Sequence, residues 1–213
     1  EYKSPEIKNL PRFYGGFVGF FAYESAQYAE KKIQSLIKKE SKFNEHMPDI
    51  YLVKSEKIIV YDNFNQTLKV IFNADPSKIS YEEACDVLTE IEQSFDKTIT
   101  YSRPDYSDIL GNNSFDSNFS KNEYIDSVVK IKNYIKEGDV MQVVLAQDFK
   151  ADFRGDSFKL YSALREINPS PYMYYLNLDE CQVVGSSPEI LVRVEDAEVT
   201  PVSYTHLRAH ETQ

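Results

Sequence analysis

Two glutamines, a proline-stiffened turn and a pair of serines supply the polar groups that could handle a small molecule in this chain. Gln142 and Gln147 interrupt an otherwise apolar run, Val140-Met-Gln-Val-Val-Leu-Ala-Gln147. A glutamine amide donates and accepts hydrogen bonds but takes no proton at neutral pH, so its chemistry is binding and orientation. Left buried and unpaired, it costs roughly 1–3 kcal/mol. Each glutamine is therefore either a hydrogen-bonded core residue or a ligand contact in a cavity. Asn168-Pro-Ser-Pro171 holds two fixed φ angles and reads as a rigid turn or a ligand contact. Gly185-Ser-Ser-Pro-Glu189 offers hydroxyls and amides to an anion, provided Ser187 caps a helix with Pro188 in its first position. His206 and His210 stand four apart, the spacing that sets two zinc ligands on one helix face.

The bulk composition narrows the partners. A chain of 213 residues with 42% hydrophobic content buries a core as one large or two small domains. A net charge of −10 repels nucleic acid and anionic lipid, so neither is expected as a partner. Phe17–Tyr23 is the most apolar run and falls far short of the ~20 residues that cross a bilayer. No leader is read at Glu1. The two cysteines, Cys85 and Cys181, lie in unrelated contexts, as reduced thiols of a cytoplasmic protein do.

Periodicity gives the elements that must position these groups. The aromatic and glycine-rich run Phe13–Tyr23 reads as a strand, and Ser25–Lys39 as a helix with Ala29, Ile33, Leu36 and Ile37 on its apolar face. Ile50–Val53, Lys57–Tyr61 and Thr67–Phe72 read as strands, the last two joined by the turn 62–66. Capping boxes at Ser80–Glu83 and Ser120–Glu123 each open a helix, the second ended by Gly138. Val140–Ala146 reads as a strand buried on both faces, which would point Gln142 and Gln147 to opposite sides. Asp156 caps a helix through Ile167. The chain then gives two hairpins, Tyr172–Leu178 with Gln182–Val184, and Leu191–Val194 with Glu198–Thr200. The mixture without strict alternation points to an α+β fold with antiparallel sheet. The organisation expected is a first region over 1–100, a linker over 101–117 and a second region over 118–201.

Several motifs recur in an order that resembles the large subunits (component I) of anthranilate synthases, within the chorismate-utilising enzyme family. They are Gly15-Gly-Phe-Val-Gly-Phe-Phe-Ala-Tyr-Glu24, Gly138-Asp-Val-Met-Gln-Val-Val-Leu-Ala-Gln147, Asn168-Pro-Ser-Pro-Tyr-Met173, and Gly185-Ser-Ser-Pro-Glu189 leading into Leu191-Val-Arg193. The resemblance implies an antiparallel β-sheet sandwich flanked by helices, incomplete in this chain. It implies conversion of chorismate and ammonia to anthranilate and pyruvate in tryptophan biosynthesis, with Mg²⁺ as cofactor and a glutamine amidotransferase subunit as ammonia source. Relatives that use water carry a water-activating lysine where this chain has Gln142. Glutamine there argues for ammonia as nucleophile, which leaves anthranilate synthase, with aminodeoxychorismate synthase component I of the folate pathway as the alternative.

In the same resemblance Asn168, Pro169, Ser170, Pro171, Tyr172 and Met173 match a wall of the pocket through which tryptophan exerts feedback inhibition. The opposite wall, a Leu-Leu-Glu-Ser type segment, is not in this sequence, and a non-catalytic tryptophan-sensing or interaction module is the reading from a different class. The family's metal-binding glutamates and catalytic histidine belong to a carboxy-terminal portion that is also not in this sequence. No metal ligand is therefore expected within these residues, and the chain by itself is expected to be inactive. Residues 202–213 depart from the family pattern. Val202–Thr212 resembles one reading frame of a transposase-type sequencing adapter, which sets His206 and His210 outside the fold as an artefact.

Overall fold

The computed structural model describes residues 7–35, 47–97, 114–195 and 198–201. The chain divides into two units, Glu1–Ser102 and Arg103–Gln213.

In the first unit, β1 (Gly16–Phe21) pairs antiparallel with β2 (Ile50–Ser55), from Gly16 opposite Ser55 to Phe21 opposite Ile50. Gly16 has φ 129°, a region open to glycine, and the Phe20 ring stacks on its cross-strand partner Tyr51 at 6.4 Å. β3 (Lys57–Asp62) and β4 (Thr67–Phe72) form a hairpin. Its turn is organised by the Asp62 carboxylate, which accepts from the amides of Phe64 at 2.9 Å and Asn65 at 3.0 Å. Asn73, just past β4, donates through Nδ2 to the Tyr14 carbonyl at 2.6 Å and so ties the hairpin to the approach of β1. α3 (Tyr81–Ser94) opens on the expected capping box of Ser80 and Glu83.

The helix expected over Ser25–Lys39 is broken. A 3-10 turn (Tyr23–Ser25) leads into α1 (Ala26–Ala29) and then α2 (Lys31–Gln34). Glu30 separates them with extended φ −123° and ψ 106°, and its carboxylate accepts from the Lys32 amide at 3.0 Å. The side chain thus caps a new helix instead of continuing the old one. Leu36, Ile37 and Lys39 lie outside the described residues.

In the second unit, β5 (Asp116–Ser117) pairs with β6 (Phe149–Lys150), so the end of the expected linker is a short strand. Of the rest of that linker, 101–113 lies outside the described residues. α4 (Lys121–Glu137) has both halves of its capping box in place, and it stops at Gly138, whose φ of 83° is the left-handed C-terminal signal. α5 (Ser157–Ile167) is capped by the Asp156 carboxylate, 2.8 Å from the Phe158 amide. It packs on β7 (Tyr172–Asn177) through Phe158, whose ring meets Tyr175 edge-on at 5.4 Å, while the Ser157 and Tyr175 hydroxyls lie 3.0 Å apart. β7 pairs with β8 (Gln182–Ser187), and β9 (Val192–Glu195) with β10 (Glu198–Pro201).

A further expectation is corrected. Val140–Ala146 is not a buried strand: residues 142–148 join no ladder, and Met141 and Val144 are 86% and 83% exposed. The Asp148 carbonyl accepts from the Asn118 amide at 3.2 Å, and the Asp148 amide donates to the Asn118 side-chain Oδ1 at 3.0 Å. Two residues further along the partner strand, Ser120 opens α4, so the run toward Val140 outlasts the strand it would pair with. The strands of the described residues form five two-stranded antiparallel ladders, and Leu178 is the buried hydrophobic residue among them. Helices and antiparallel strands together fit the α+β class.

Candidate functional site

Two of the polar motifs face each other across one ladder. In the β7–β8 register Tyr172 opposes Ser187, Met173 opposes Ser186 and Tyr174 opposes Gly185. Tertiary structure thus sets Asn168–Met173 beside Gly185–Ser187, although about a dozen residues separate them in sequence. Asn168 is the C-cap of α5 and donates its amide to the Leu164 carbonyl at 2.8 Å. Pro169 cannot continue the helix, and the chain swings through Pro171 into β7. The Ser186 hydroxyl donates to the Asn168 carbonyl at 3.0 Å and pins the turn to β8. This contact spans 18 residues and has no periodic signature in the sequence. Ser170 and Met173 are half-buried, whereas Asn168, Pro169, Pro171 and Tyr172 are exposed.

Ser187 is not the helix cap the sequence suggested. It ends β8, no helix follows Pro188, and its hydroxyl donates to the Glu189 carbonyl at 2.8 Å. The anion site expected of that cap is therefore not formed.

The two glutamines part company. Gln147 donates from Nε2 to the Ser117 hydroxyl at 2.8 Å, the hydrogen-bonded outcome of its two readings. It borders an open cavity of about 460 Å³ lined also by Phe119, Lys121, Tyr124, Ile125 and Phe149. Gln142 is exposed on the unpaired run. Among the described residues no hydrogen bond or ring contact joins it to Asn168–Met173.

The carboxylates with displaced titration do structural work. Glu83 and Glu123 are held below the usual range by hydrogen bonds from Ser80 and Ser120, and Asp62 by those from Asn65 and Phe64. Tyr28 is raised by its 2.6 Å bond to the Asp49 carboxylate. Among the described residues no three His, Cys, Asp or Glu side chains converge as a metal site, so these residues do not fit a Mg²⁺ cage. His206 and His210 lie outside the described residues.

Residues 2–202 match the family model described as chorismate binding enzyme. This chain belongs to the chorismate-binding enzyme family. It is 40% identical to anthranilate synthase component 1 of Pseudomonas aeruginosa over 97% of this chain and 42% of that one. It is 37% identical to anthranilate synthase component 1 of Aquifex aeolicus over 94% of this chain and 41% of that one. The crystal structure of anthranilate synthase component I from Streptococcus pneumoniae superposes with a TM-score of 0.73 at 28% identity, covering 92% of this chain and 43% of that one. The chain thus spans about two fifths of the length of these family members. No helix among the described residues is long and apolar enough to cross a membrane.

Proposed function

We propose that this chain is a portion of an anthranilate synthase component I acting in the cytoplasm in tryptophan biosynthesis. The reaction is chorismate and ammonia to anthranilate, pyruvate and water. The observation that carries the reading is the 40% identity to anthranilate synthase component 1 over nearly the whole chain. Gln142 supports it. An amide cannot deprotonate water at neutral pH, so the position suits an enzyme whose nucleophile arrives as ammonia. A glutamine amidotransferase subunit is the ammonia source in this reading. Aminodeoxychorismate synthase, of the same family, is the neighbouring reading, and the names of the relatives favour anthranilate.

In this reading any Mg²⁺ of the reaction is held by the part of a family chain that the matched portion does not span, and the 213-residue chain alone is inactive. In the complete protein the two-stranded ladders join into the paired sheets expected of the fold. Asn168–Met173, fixed by Ser186, forms one wall of a tryptophan-binding pocket.

A chimera tests the assignment. Residues 7–201 of this chain replace the matching region of the Pseudomonas aeruginosa component, and products formed from chorismate and ammonium are separated by chromatography. Anthranilate is the expected product. A 4-amino product would overturn the reading in favour of aminodeoxychorismate synthase.

A further inference from the structure

We propose that the cavity beside Gln147 is a binding site for a small aromatic carboxylate.

Its volume of about 460 Å³ falls within the range of small-molecule sites. The cavity forms where the β5–β6 ladder meets the first turn of α4. Ser117 and Phe149, cross-strand partners, come from the ladder, and Lys121, Tyr124 and Ile125 come from the helix. The three helix residues stand at i, i+3 and i+4, so one face of α4 serves the cavity. The apolar lining is mostly aromatic. The Phe119 and Tyr124 rings meet edge to face, 6.0 Å apart at 85°, and Phe149 is 62% exposed. Rings favour offset-stacked or edge-to-face partners, so an aromatic ligand gains more here than a saturated one of equal area.

Charge sets the sign of the ligand. Among the described residues that line the cavity Lys121 is the cation, and no carboxylate is present. Lys121 has no ion pair among the described residues, and Tyr124 and Ile125 at i+3 and i+4 offer none. It is also the first residue of α4, where the helix dipole disfavours a cation and favours an anion. A bound carboxylate compensates both. Polar groups remain to orient it. The Ser117 oxygen accepts from Gln147 Nε2 at 2.8 Å and from the Phe119 amide at 3.1 Å, which leaves the hydroxyl proton to donate. Gln147 spends one Nε2 proton on that bond and keeps a second. The inference rests on these residues and not on the proposed reaction, and its readout needs no catalysis.

Titrating the ¹⁵N-labelled 213-residue chain with benzoate, followed through amide chemical shifts, tests the site. The expected result is a saturable one-to-one shift centred on Ser117, Phe119, Lys121 and Gln147, with Kd on the order of 1 mM for so small a ligand. Benzamide keeps the ring without the charge, and cyclohexanecarboxylate keeps the charge without the aromatic ring. Each should bind at least about threefold more weakly. Lys121→Met should lower benzoate to the affinity of benzamide, while Lys136→Met, in the last turn of α4, should leave it unchanged. Absence of saturation by about 20 mM benzoate overturns the proposal. So do shifts centred away from the cavity, either control compound binding as tightly as benzoate, or a benzoate affinity that the two lysine variants change equally or not at all.

Discussion

The Tyr174 ring lies across Gly185, its partner in the β7–β8 register, and occupies the space that a Cβ at Gly185 would need. Gly185→Ala therefore forces the ring away. The clash is with the outer end of a half-exposed side chain, which can swing toward solvent. The contrast is Gly19, where an added Cβ would meet the Tyr51 backbone carbonyl across the β1–β2 ladder. A carbonyl held in a ladder moves only if the ladder deforms. Overpacking costs typically about 1–3 kcal/mol, and Gly19→Ala should fall at the upper end and Gly185→Ala at the lower. Amide exchange of each hairpin measures both. Tyr174→Ser should rescue Gly185→Ala, and equal loss at the two glycines would refute the distinction.

Ser186 is the one described side-chain link between the turn at Asn168 and β8. Its bond is partly exposed, so Ser186→Ala should cost no more than about 1 kcal/mol of overall stability. The effect should concentrate locally, with faster exchange at the Ser170 and Tyr172 amides and little change at Tyr175, which α5 holds through Phe158. Uniform acceleration along β7 would show that the hydroxyl does not anchor the turn.

Local chemistry made much of this fold legible, and long-range partnership did not. The two capping boxes, the Asp156 cap, the Gly138 stop and the Asp62 turn each lie within a few residues of their partners, so their types and spacing suffice. The β7–β8 hairpin was legible for the same reason. Val140–Ala146 departs from the strand its composition predicts because a continued β5–β6 ladder would set it opposite residues 120–126, and Ser120 already opens α4 there. Glu30 misled differently: helix periodicity ran through it, while its carboxylate was free to cap a new helix. Of the candidate site, the motif residues were visible in sequence. Their alignment, Met173 opposite Ser186, came only from register.

Acid should loosen α3 and α4 from their first turns. Glu83 and Glu123 accept the amides of Ser80 and Ser120 at 2.8 Å, and both titrate below the ordinary carboxylate range. A folded pKa below the unfolded one adds stability that is fully present above the unfolded value, about 4.3 for glutamate, and is lost as pH falls through the lowered value. Helix content by circular dichroism should thus hold from pH 7 to about 5 and decline below about 4. Glu83→Gln with Glu123→Gln should flatten that decline. Ser120→Ala removes the other half of one box and should cost about 1 kcal/mol at neutral pH. A decline of the same size in the double glutamine variant would place the acid sensitivity elsewhere.

Gln142 carries the sharpest consequence of the proposed reaction. In the chimera, Gln142→Lys places an ammonium where relatives that activate water carry their base, and it adds a charge beside the incoming nucleophile. Anthranilate formation with ammonium should fall at least tenfold in kcat/KM, which corresponds to about 1.4 kcal/mol of transition-state stabilisation. Gln142→Glu keeps the size and one acceptor but loses the amide donor. It should also lose activity, with the loss deepening as pH rises through the carboxylate's titration, whereas Gln142→Lys should show no such profile below pH 9. If lysine, glutamate and alanine at 142 all leave the rate unchanged, the residue is a bystander of the apolar run. The preference for ammonia must then originate elsewhere in the complete protein.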